Sequence, residues 1–336
     1  VSLEKHWKET DYSGIIAKIR VLEKHLLSRQ AFEKMCESRN MAEIYKTLAD
    51  ANWHFAYEEK EPARVLAGQQ EWMFDFLRQA APEKNFLYVL LRKTDYQNIK
   101  AYVKQELAGN PIHNDLFLQG GTIPISALVK SLAGREKGAL SERMFSAFLR
   151  ARNEFLEKQN PQRIDLILDA ACTEEILQCA EAFENAFILH YLRMQIDAVN
   201  LKTLLRVRKM NEGLPSFREV FLKGGSIPED RLKAQLDSTV EDCKAFLLRT
   251  EIGGKLSAPL EDFFQDGSVM PLEKGLDELL IEQLRKVRFT MFGPEPIFVY
   301  AKNMENEIRS VRIVMNGILS GLHPQSIKER LRLSYA

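Results

Sequence analysis

Cysteine is scarce in this sequence, which has four among its 336 residues. The four stand at positions 36, 172, 179 and 243, and no two of them form a CxxC pair. Disulfide frameworks are typical of small secreted domains, and paired cysteines are typical of zinc sites, so neither is expected here. We expect four free, buried thiols, since unpaired cysteine is among the most buried residue types.

The sequence also lacks an excess of charge and a long apolar run. Lysine plus arginine and aspartate plus glutamate both number 47, whereas a nucleic-acid-binding protein needs a basic excess. No apolar run reaches the roughly 18 residues of a membrane-spanning helix, and the charged start VSLEKHWKETD has no signal-peptide core. We therefore expect a soluble, cytoplasmic protein with no nucleic-acid partner.

Catalytic and cofactor motifs are missing as well. The six histidines are scattered without an HExxH pattern, and there is no GxSxG string and no Rossmann fingerprint. Gly253-Gly254-Lys255 resembles the end of a P-loop, but Leu256 follows it and no glycine stands at the required upstream spacing. The sequence therefore predicts no catalytic residue, no metal site and no cofactor.

What the sequence does have is helical periodicity along most of its length. Segments such as EIYKTLADANW, QEWMFDFLRQA and LDELLIEQLRKVRF space their apolar residues by three and four. Alternating strand patterns are nearly absent, and the breaks fall at glycine and proline. We predict an all-α protein of many short-to-medium helices.

A repeat organises these helices into three copies of a unit of about a hundred residues. FLYVLLRKTDYQNIKAYV (86–103) aligns with FILHYLRMQIDAVNLKTLL (187–205), and FVYAKNMENEIRSVRIVM (298–315) is a weaker third copy. The repeated acid, amide or hydroxyl, and base are Asp95, Asn98 and Lys100, then Asp197, Asn200 and Lys202, then Glu307, Ser310 and Arg312. Such order and spacing are hard to reach by chance.

A glycine-rich turn follows each copy. The first two turns read LQGGTIP and LKGGSIP, and we take SGLHP as the worn third turn. Their residues are Gly120, Gly121 and Pro124, then Gly224, Gly225 and Pro228, then Gly321 and Pro324. Without a P-loop lysine they are expected to be helix corners, with a glycine ending one helix, Ser226 capping the next in a capping box with Glu229, and Pro228 in its first turn.

The repeated acid is expected to lie on a packed helix face. On a helix each acid shares a stripe with the residues four, seven and eight positions later. In the three copies these nine residues are all apolar or aromatic, and they are Ile99, Tyr102, Val103, Leu201, Leu204, Leu205, Val311, Val314 and Met315. A buried carboxylate needs a partner, and the base five residues later points elsewhere around the helix. The sequence leaves two interpretations open, a polar tie between helices and a charged contact for a partner.

The segments after the turns also match one another, which places the repeat boundaries. We predict an N-terminal helix in residues 1–26 that packs near the C-terminal unit, followed by helical repeats at 27–122, 123–226 and 227–336. Packing of the first helix beside the last would close the three units into a ring-like or funnel-like body. This closure is a hypothesis.

The repeated motifs resemble a known family. FVYAKNMENEIRSVRIVMNGILSGLHPQSIKERL and IIAKIRVLEKHLLSRQAFEKM are similar to segments of the C subunit of the prokaryotic V-type (A-type) rotary ATPases, the counterpart of the eukaryotic d subunit. The resemblance implies a funnel of three similar helical domains with pseudo-threefold symmetry. It implies a rotor role without catalysis, with the D and F axle proteins and the membrane proteolipid (c/K) ring as partners. It also implies a peripheral position on the cytoplasmic face, with no direct membrane insertion.

Two other classes of function are compatible with an all-α repeat protein. A helical-repeat adaptor would use a concave face for protein partners, although three long units are few for a solenoid. An all-α enzyme would need a polar constellation in one unit only, and the sequence offers none. ATP binding would separate the enzyme from the others, and co-purification with the axle pair and the ring would separate rotor from adaptor.

Overall fold

The computed structural model describes residues 8–56, 58–211 and 213–331. In those ranges the regular structure is helical and contains no strand, so the predicted all-α class is confirmed. In chain order the α-helices are α1 (Ser13–Leu22), α2 (Arg29–Cys36), α3 (Met41–Asp50), α4 (Pro62–Ala80), α5 (Lys84–Leu107), α6 (Ile125–Gly134), α7 (Glu142–Lys158), α8 (Pro161–Phe183), α9 (Ala186–Lys209), α10 (Leu214–Val220), α11 (Glu229–Lys233), α12 (Val240–Leu248), α13 (Ser257–Asp266), α14 (Val269–Arg285), α15 (Glu295–Leu319) and α16 (Pro324–Arg330).

Local sequence explains where many of these helices begin. Several start after a polar residue whose side chain accepts an amide of the first turn, which satisfies a donor that the helix leaves open. These capping residues are Ser28, Asn40, Ser141, Asn160, Asn185 and Thr239. Proline stands in the first turn of α4, α8, α10, α15 and α16, where its missing N–H costs nothing.

The chain divides into two compact units. One is Lys84–Leu280, and the other combines Val1–Glu83 with Ile281–Ala336. The first unit contains two apolar cores, in which α5 packs with α6 to α8 and α9 packs with α10 to α14. In this unit α5 and α9 each pack with the segment that follows them, across the predicted boundaries at 122/123 and 226/227.

The second unit joins the two ends of the described chain. Helix α15 packs against α1, α2, α3 and α4, and α16 packs against α2 and α15. The third long helix therefore packs with the N-terminal helices, which take the place that α6 to α8 take beside α5. The predicted domain boundaries, the funnel and the pseudo-threefold symmetry stay predictions.

The fold also bears on the cysteines and on membrane-spanning helices. All four cysteines are free and buried, as predicted. Among the described residues no helix combines the length and the apolar character that crossing a membrane requires.

Candidate functional site

The three repeated acids lie at matching places on α5, α9 and α15, near the middle of each helix. Asp95 is 0% exposed, Asp197 2% and Glu307 6%. The nine apolar residues that were expected to share their stripe are all buried, so the predicted packed face is confirmed. Each acid must therefore be bound by polar groups inside the protein.

Asp95 binds the first Gly-Gly corner. Its Oδ2 accepts the Thr122 amide at 3.0 Å and the Thr122 hydroxyl at 2.5 Å, and its Oδ1 accepts the Ile123 amide at 3.1 Å. The Arg92 guanidinium lies 3.7 Å from Oδ2. One carboxylate thus binds two consecutive main-chain amides of a corner that lies 27 and 28 residues later.

Asp197 binds the second corner in the same way. Its Oδ2 accepts the Ser226 amide at 2.9 Å and its Oδ1 accepts the Ile227 amide at 3.1 Å. The donors are the residues that match Thr122 and Ile123 in the sequence repeat. The first two copies of the sequence repeat therefore make the same hydrogen bonds between the acid and the corner.

The repeated asparagines bind the chain just before each corner. Asn98 donates from Nδ2 to the Leu118 carbonyl at 2.9 Å and accepts the Leu118 amide at 2.8 Å. Asn200 makes the same pair of bonds with Leu222, both at 2.8 Å. An amide side chain suits this place because it can donate and accept at once. Acid and asparagine, one helical turn apart, together hold the corner on the helix.

The two glycines of each corner have different tasks. Gly120 and Gly224 have φ angles of +100° and +97°, a region that side chains disfavour. Gly121 and Gly225 have no such angle, but a Cβ on either would overlap an oxygen of the bound carboxylate. The first glycine therefore turns the chain and the second lets the acid approach the main chain.

The expected helix capping at these corners is wrong. Pro124 and Pro228 occupy the position before the first helical residue of α6 and α11, and neither helix has a side-chain cap. Ser226 precedes that position, and its amide binds Asp197 (2.9 Å). Gly120 and Gly224 lie in turns outside the helices rather than at helix ends. The capping interpretation failed because it considered local partners only, whereas the acid comes from a distant helix.

Glu307 binds a corner at the other end of the chain. Its Oε2 accepts the Leu27 amide at 2.6 Å and its Oε1 accepts the Trp53 indole N–H at 2.9 Å. Leu27 precedes Ser28 and α2 as Ile123 precedes Pro124 and α6. The corner has no glycine, and its acid is a glutamate, whose side chain is one methylene longer than that of aspartate. Ser310, at the asparagine position, is buried.

Gly321 and Pro324 lie at a turn between helices, but not at the equivalent of the Gly-Gly corners. Gly321 follows its acid by 14 residues, as do Gly109 and Asn211, and all three have positive φ after the end of the long helix. The SGLHP turn thus matches the ends of α5 and α9. Sequence similarity paired it with the wrong turn because the true third corner, at residues 26–28, has neither glycine nor proline.

The three repeated bases differ in their surroundings. Lys100 is buried and binds Asp169 on α8 at 2.6 Å. Lys202 is half-buried, and Arg312 is exposed. As expected from the helix geometry, Lys100 binds a neighbouring helix rather than its own acid.

Burial sets the titration of the three acids. Burial raises the pKa of Asp95, and the Thr122 hydroxyl, the two corner amides and Arg92 oppose the shift. Burial likewise raises the pKa of Asp197 against its two corner amides. Burial raises the pKa of Glu307 to about 7, opposed by the Leu27 amide and the Trp53 indole. Glu307 therefore changes charge near neutral pH.

A buried ionic network beside the first corner was missed by the sequence analysis. Arg92 donates from Nε to Glu175 Oε1 at 2.8 Å and from a terminal nitrogen to the Thr122 hydroxyl at 2.5 Å. Glu175 Oε2 also accepts the Tyr96 hydroxyl at 2.6 Å and the Ser141 hydroxyl at 2.9 Å. The network links α5, α8, the corner and the start of α7.

Neither of the other copies has the arginine and the tyrosine of this network in its sequence. The positions of its arginine and tyrosine are occupied by Met194 and Ala198 in the second copy and by Met304 and Ile308 in the third. A search for repeated residues does not find a feature that one copy alone has. The available signal was an arginine on the otherwise apolar face of the first long helix.

The buried acids, asparagines and ionic network tie helices and corners together. The described residues contain no group of three histidine, cysteine, aspartate or glutamate side chains suited to a metal ion. Residues 15–330 match the model of a protein family described as ATP synthase (C/AC39) subunit. The chain belongs to this family. The resemblance inferred from the repeated motifs is therefore confirmed over nearly the whole sequence.

Known relatives cover most of the chain. It is 28% identical to the C subunit of the A-type ATP synthase of Desulfurococcus sp. (strain SY) in an alignment of 343 positions that covers 96% of this chain and 91% of that protein. It is 26% identical to the corresponding protein of Thermococcus onnurineus (strain NA1), across 96% and 90% of the two chains. Similarity extends to the C subunit of the V-type sodium ATPase of Enterococcus hirae, with 22% identity across 97% and 99%.

Proposed function

We propose that the chain is a non-catalytic central-stalk component of a V/A-type rotary ATPase. In this role it rotates with the axle made by the D and F proteins and rests on the cytoplasmic face of the membrane proteolipid ring. It transmits torque between ATP turnover in the catalytic headpiece and proton or sodium movement through the membrane sector. It binds no nucleotide and performs no chemical step itself.

The observation that carries this proposal is the family match over residues 15–330, with relatives named as the C subunit of A-type ATP synthases and of a V-type sodium ATPase. The corners support it physically. A protein that transmits torque must resist deformation, and buried hydrogen bonds from long helices to the turns between elements fix those turns. The third corner, bound across 280 residues, also joins the two ends of the chain.

Co-purification tests the proposal. The chain is co-expressed with the axle pair and the proteolipid ring, and each is isolated in turn through a tag on one partner. We expect the chain to be retained with both partners, and the purified chain alone to bind no ATP by equilibrium dialysis. A chain that binds neither partner, or that binds and hydrolyses ATP by itself, would overturn the proposal.

A further inference from the structure

Each long acid helix is entered from the preceding helix through a short joint, and one of the three joints is much longer than the others. Three residues, 81–83, separate α4 from α5, and two residues, 184 and 185, separate α8 from α9. Nine residues, 286–294, separate α14 from α15. The α14–α15 loop is therefore an addition to one copy that the repeat itself does not need.

The loop exposes large apolar side chains. Phe289 is 87% exposed, Met291 72% and Phe292 55%, which places three strongly exposed apolar residues within four positions. Apolar exposure on this scale is unfavourable in water, and clusters of it mark interaction sites. The loop therefore has the composition of a contact surface rather than of a simple connection.

The same segment is positively charged. Arg285 at the end of α14 and Lys286 and Arg288 in the loop are all exposed. No aspartate or glutamate occurs from position 283 to position 294. A surface that complements this loop would carry carboxylates next to an apolar groove or stripe.

The loop is held in place from its own unit. Arg20 on α1 donates to the Thr290 carbonyl at 2.5 Å, and Glu23 accepts a second bond from the same guanidinium at 2.8 Å. Gly293, which is buried and has a φ of +85°, turns the chain into α15. The exposed side chains are thus presented on an anchored main chain, which lowers the entropy lost when a partner binds.

We propose that the α14–α15 loop is a docking element for the axle, fitting an acidic and apolar stripe on that shaft. The inference rests on the proposed function and deepens it by naming the contact. A partner built of identical subunits, such as a ring, repeats the same chemistry and gives no reason for an addition that is confined to one copy of the repeat. A loop present in one copy of the repeat suits a partner that makes a single, unrepeated contact, as an asymmetric shaft does.

The test uses the purified axle pair, D with F, immobilised for biolayer interferometry against the full chain. We expect the double variant Phe289→Ser with Phe292→Ser to weaken binding at least tenfold. Aromatic residues that become buried when a complex forms carry a large share of the binding energy. Lys286→Glu should weaken binding less and reduce its dependence on salt. Leu319→Ser is the matched control, since Leu319 is 61% exposed at the end of α15 outside the loop.

The outcomes separate this inference from the proposed function. If the unchanged chain binds the axle and the double variant binds equally at an unchanged melting temperature, the loop assignment is overturned and the stalk role stands. An equal loss in Leu319→Ser would also overturn the assignment. If the unchanged chain does not bind the axle pair, both proposals are overturned.

A lipid surface is the competing occupant. Phosphatidylglycerol vesicles that bind the unchanged chain but not the double variant, while axle affinity is the same for both, would overturn the axle contact in favour of the membrane surface. We expect the vesicles to bind both chains to the same small extent.

Discussion

Asp95 and Asp197 are buried carboxylates, and each accepts hydrogen bonds from two main-chain amides of a corner. Asp95 accepts the Thr122 and Ile123 amides, and Asp197 accepts those of Ser226 and Ile227. Removal of Asp95 leaves the buried Ile123 amide unsatisfied, whereas removal of an exposed ion pair leaves both groups in water. The close approach of acid and main chain makes the second glycine of each corner as important as the acid.

Alanine at Gly225 should destabilise the chain markedly. Its Cβ would overlap Asp197 Oδ1, so the carboxylate must move away from both amides, at a cost of about 2–4 kcal/mol of unfolding free energy. Urea unfolding followed by circular dichroism measures the change. Gly14→Ala is the control, because Gly14 is exposed in α1 with open space around it. Alanine there should raise the free energy of unfolding by up to about 1 kcal/mol. Equal effects of the two changes would contradict the proposed role of Gly225.

Glu307 should make the stability of the protein depend on pH. Its pKa in the folded chain is about 7, above the ordinary value of 4.5, so between these values the folded chain binds more protons than the unfolded chain. The free energy of unfolding should therefore fall as pH rises through this window, by up to about 1.4 kcal/mol per pH unit. This contribution is fully present below pH 4.5.

Glu307→Gln isolates that contribution, because glutamine does not titrate and the other acids are unchanged. Urea unfolding at about pH 5 and about pH 7.5 should show a smaller fall in stability for the variant than for the unchanged chain. The same fall in both chains would show that Glu307 does not titrate in this window.

Much of the residue pattern was visible in the sequence, but its partners were not. The acid, the asparagine and the Gly-Gly string recur at nearly the same offsets, and this common recurrence was the available signal that they act together. The bonds span 20–30 residues, so helix periodicity and capping rules could not reveal them. The third corner was missed because residues 22–28, LEKHLLS, keep only the leading leucine of LQGGTIP and LKGGSIP and have neither glycine nor proline.

At the level of helices, the first copy differs from the others by its ionic network. Arg92 and Glu175 are 5% and 7% exposed and join α5 to α8. The second copy makes the equivalent place apolar with Met194, which shows that the unit does not need the ion pair in order to fold. Buried ion pairs often contribute little net stability, but loss of one partner is costly.

The paired substitution tests this interpretation of the network. Glu175→Ala should lower the free energy of unfolding by about 3–5 kcal/mol, because it leaves the Arg92 charge buried without its main partner. Arg92→Met combined with Glu175→Leu should lose clearly less than Glu175→Ala alone. Thermal and urea unfolding of the three chains give the comparison. A double variant less stable than Glu175→Ala would contradict the interpretation that the ion pair adds little net stability.

Helix packing also shows what periodicity alone cannot assign. The apolar spacing predicted helices correctly, but a long helix with apolar residues on most sides can pack with the segment before or after it. The cores pair α5 with α6 to α8 and α9 with α10 to α14. The acid explains this choice, since it binds the corner that leads into the following segment.

Across the whole molecule, the third corner brings together the two ends of the chain. Leu27 and Trp53 are bound by Glu307, which follows them by 280 and 254 residues. The unit formed by Val1–Glu83 and Ile281–Ala336 therefore depends on contacts between the first and last quarters of the sequence.

The most direct test of the stalk role is the composition of the assembled complex. Native mass spectrometry of the chain co-purified with the axle pair and the proteolipid ring should give one copy of the chain for each axle pair, retained on the ring. A complex of axle and ring that forms without the chain, or one that carries several copies of it, would contradict the stalk role.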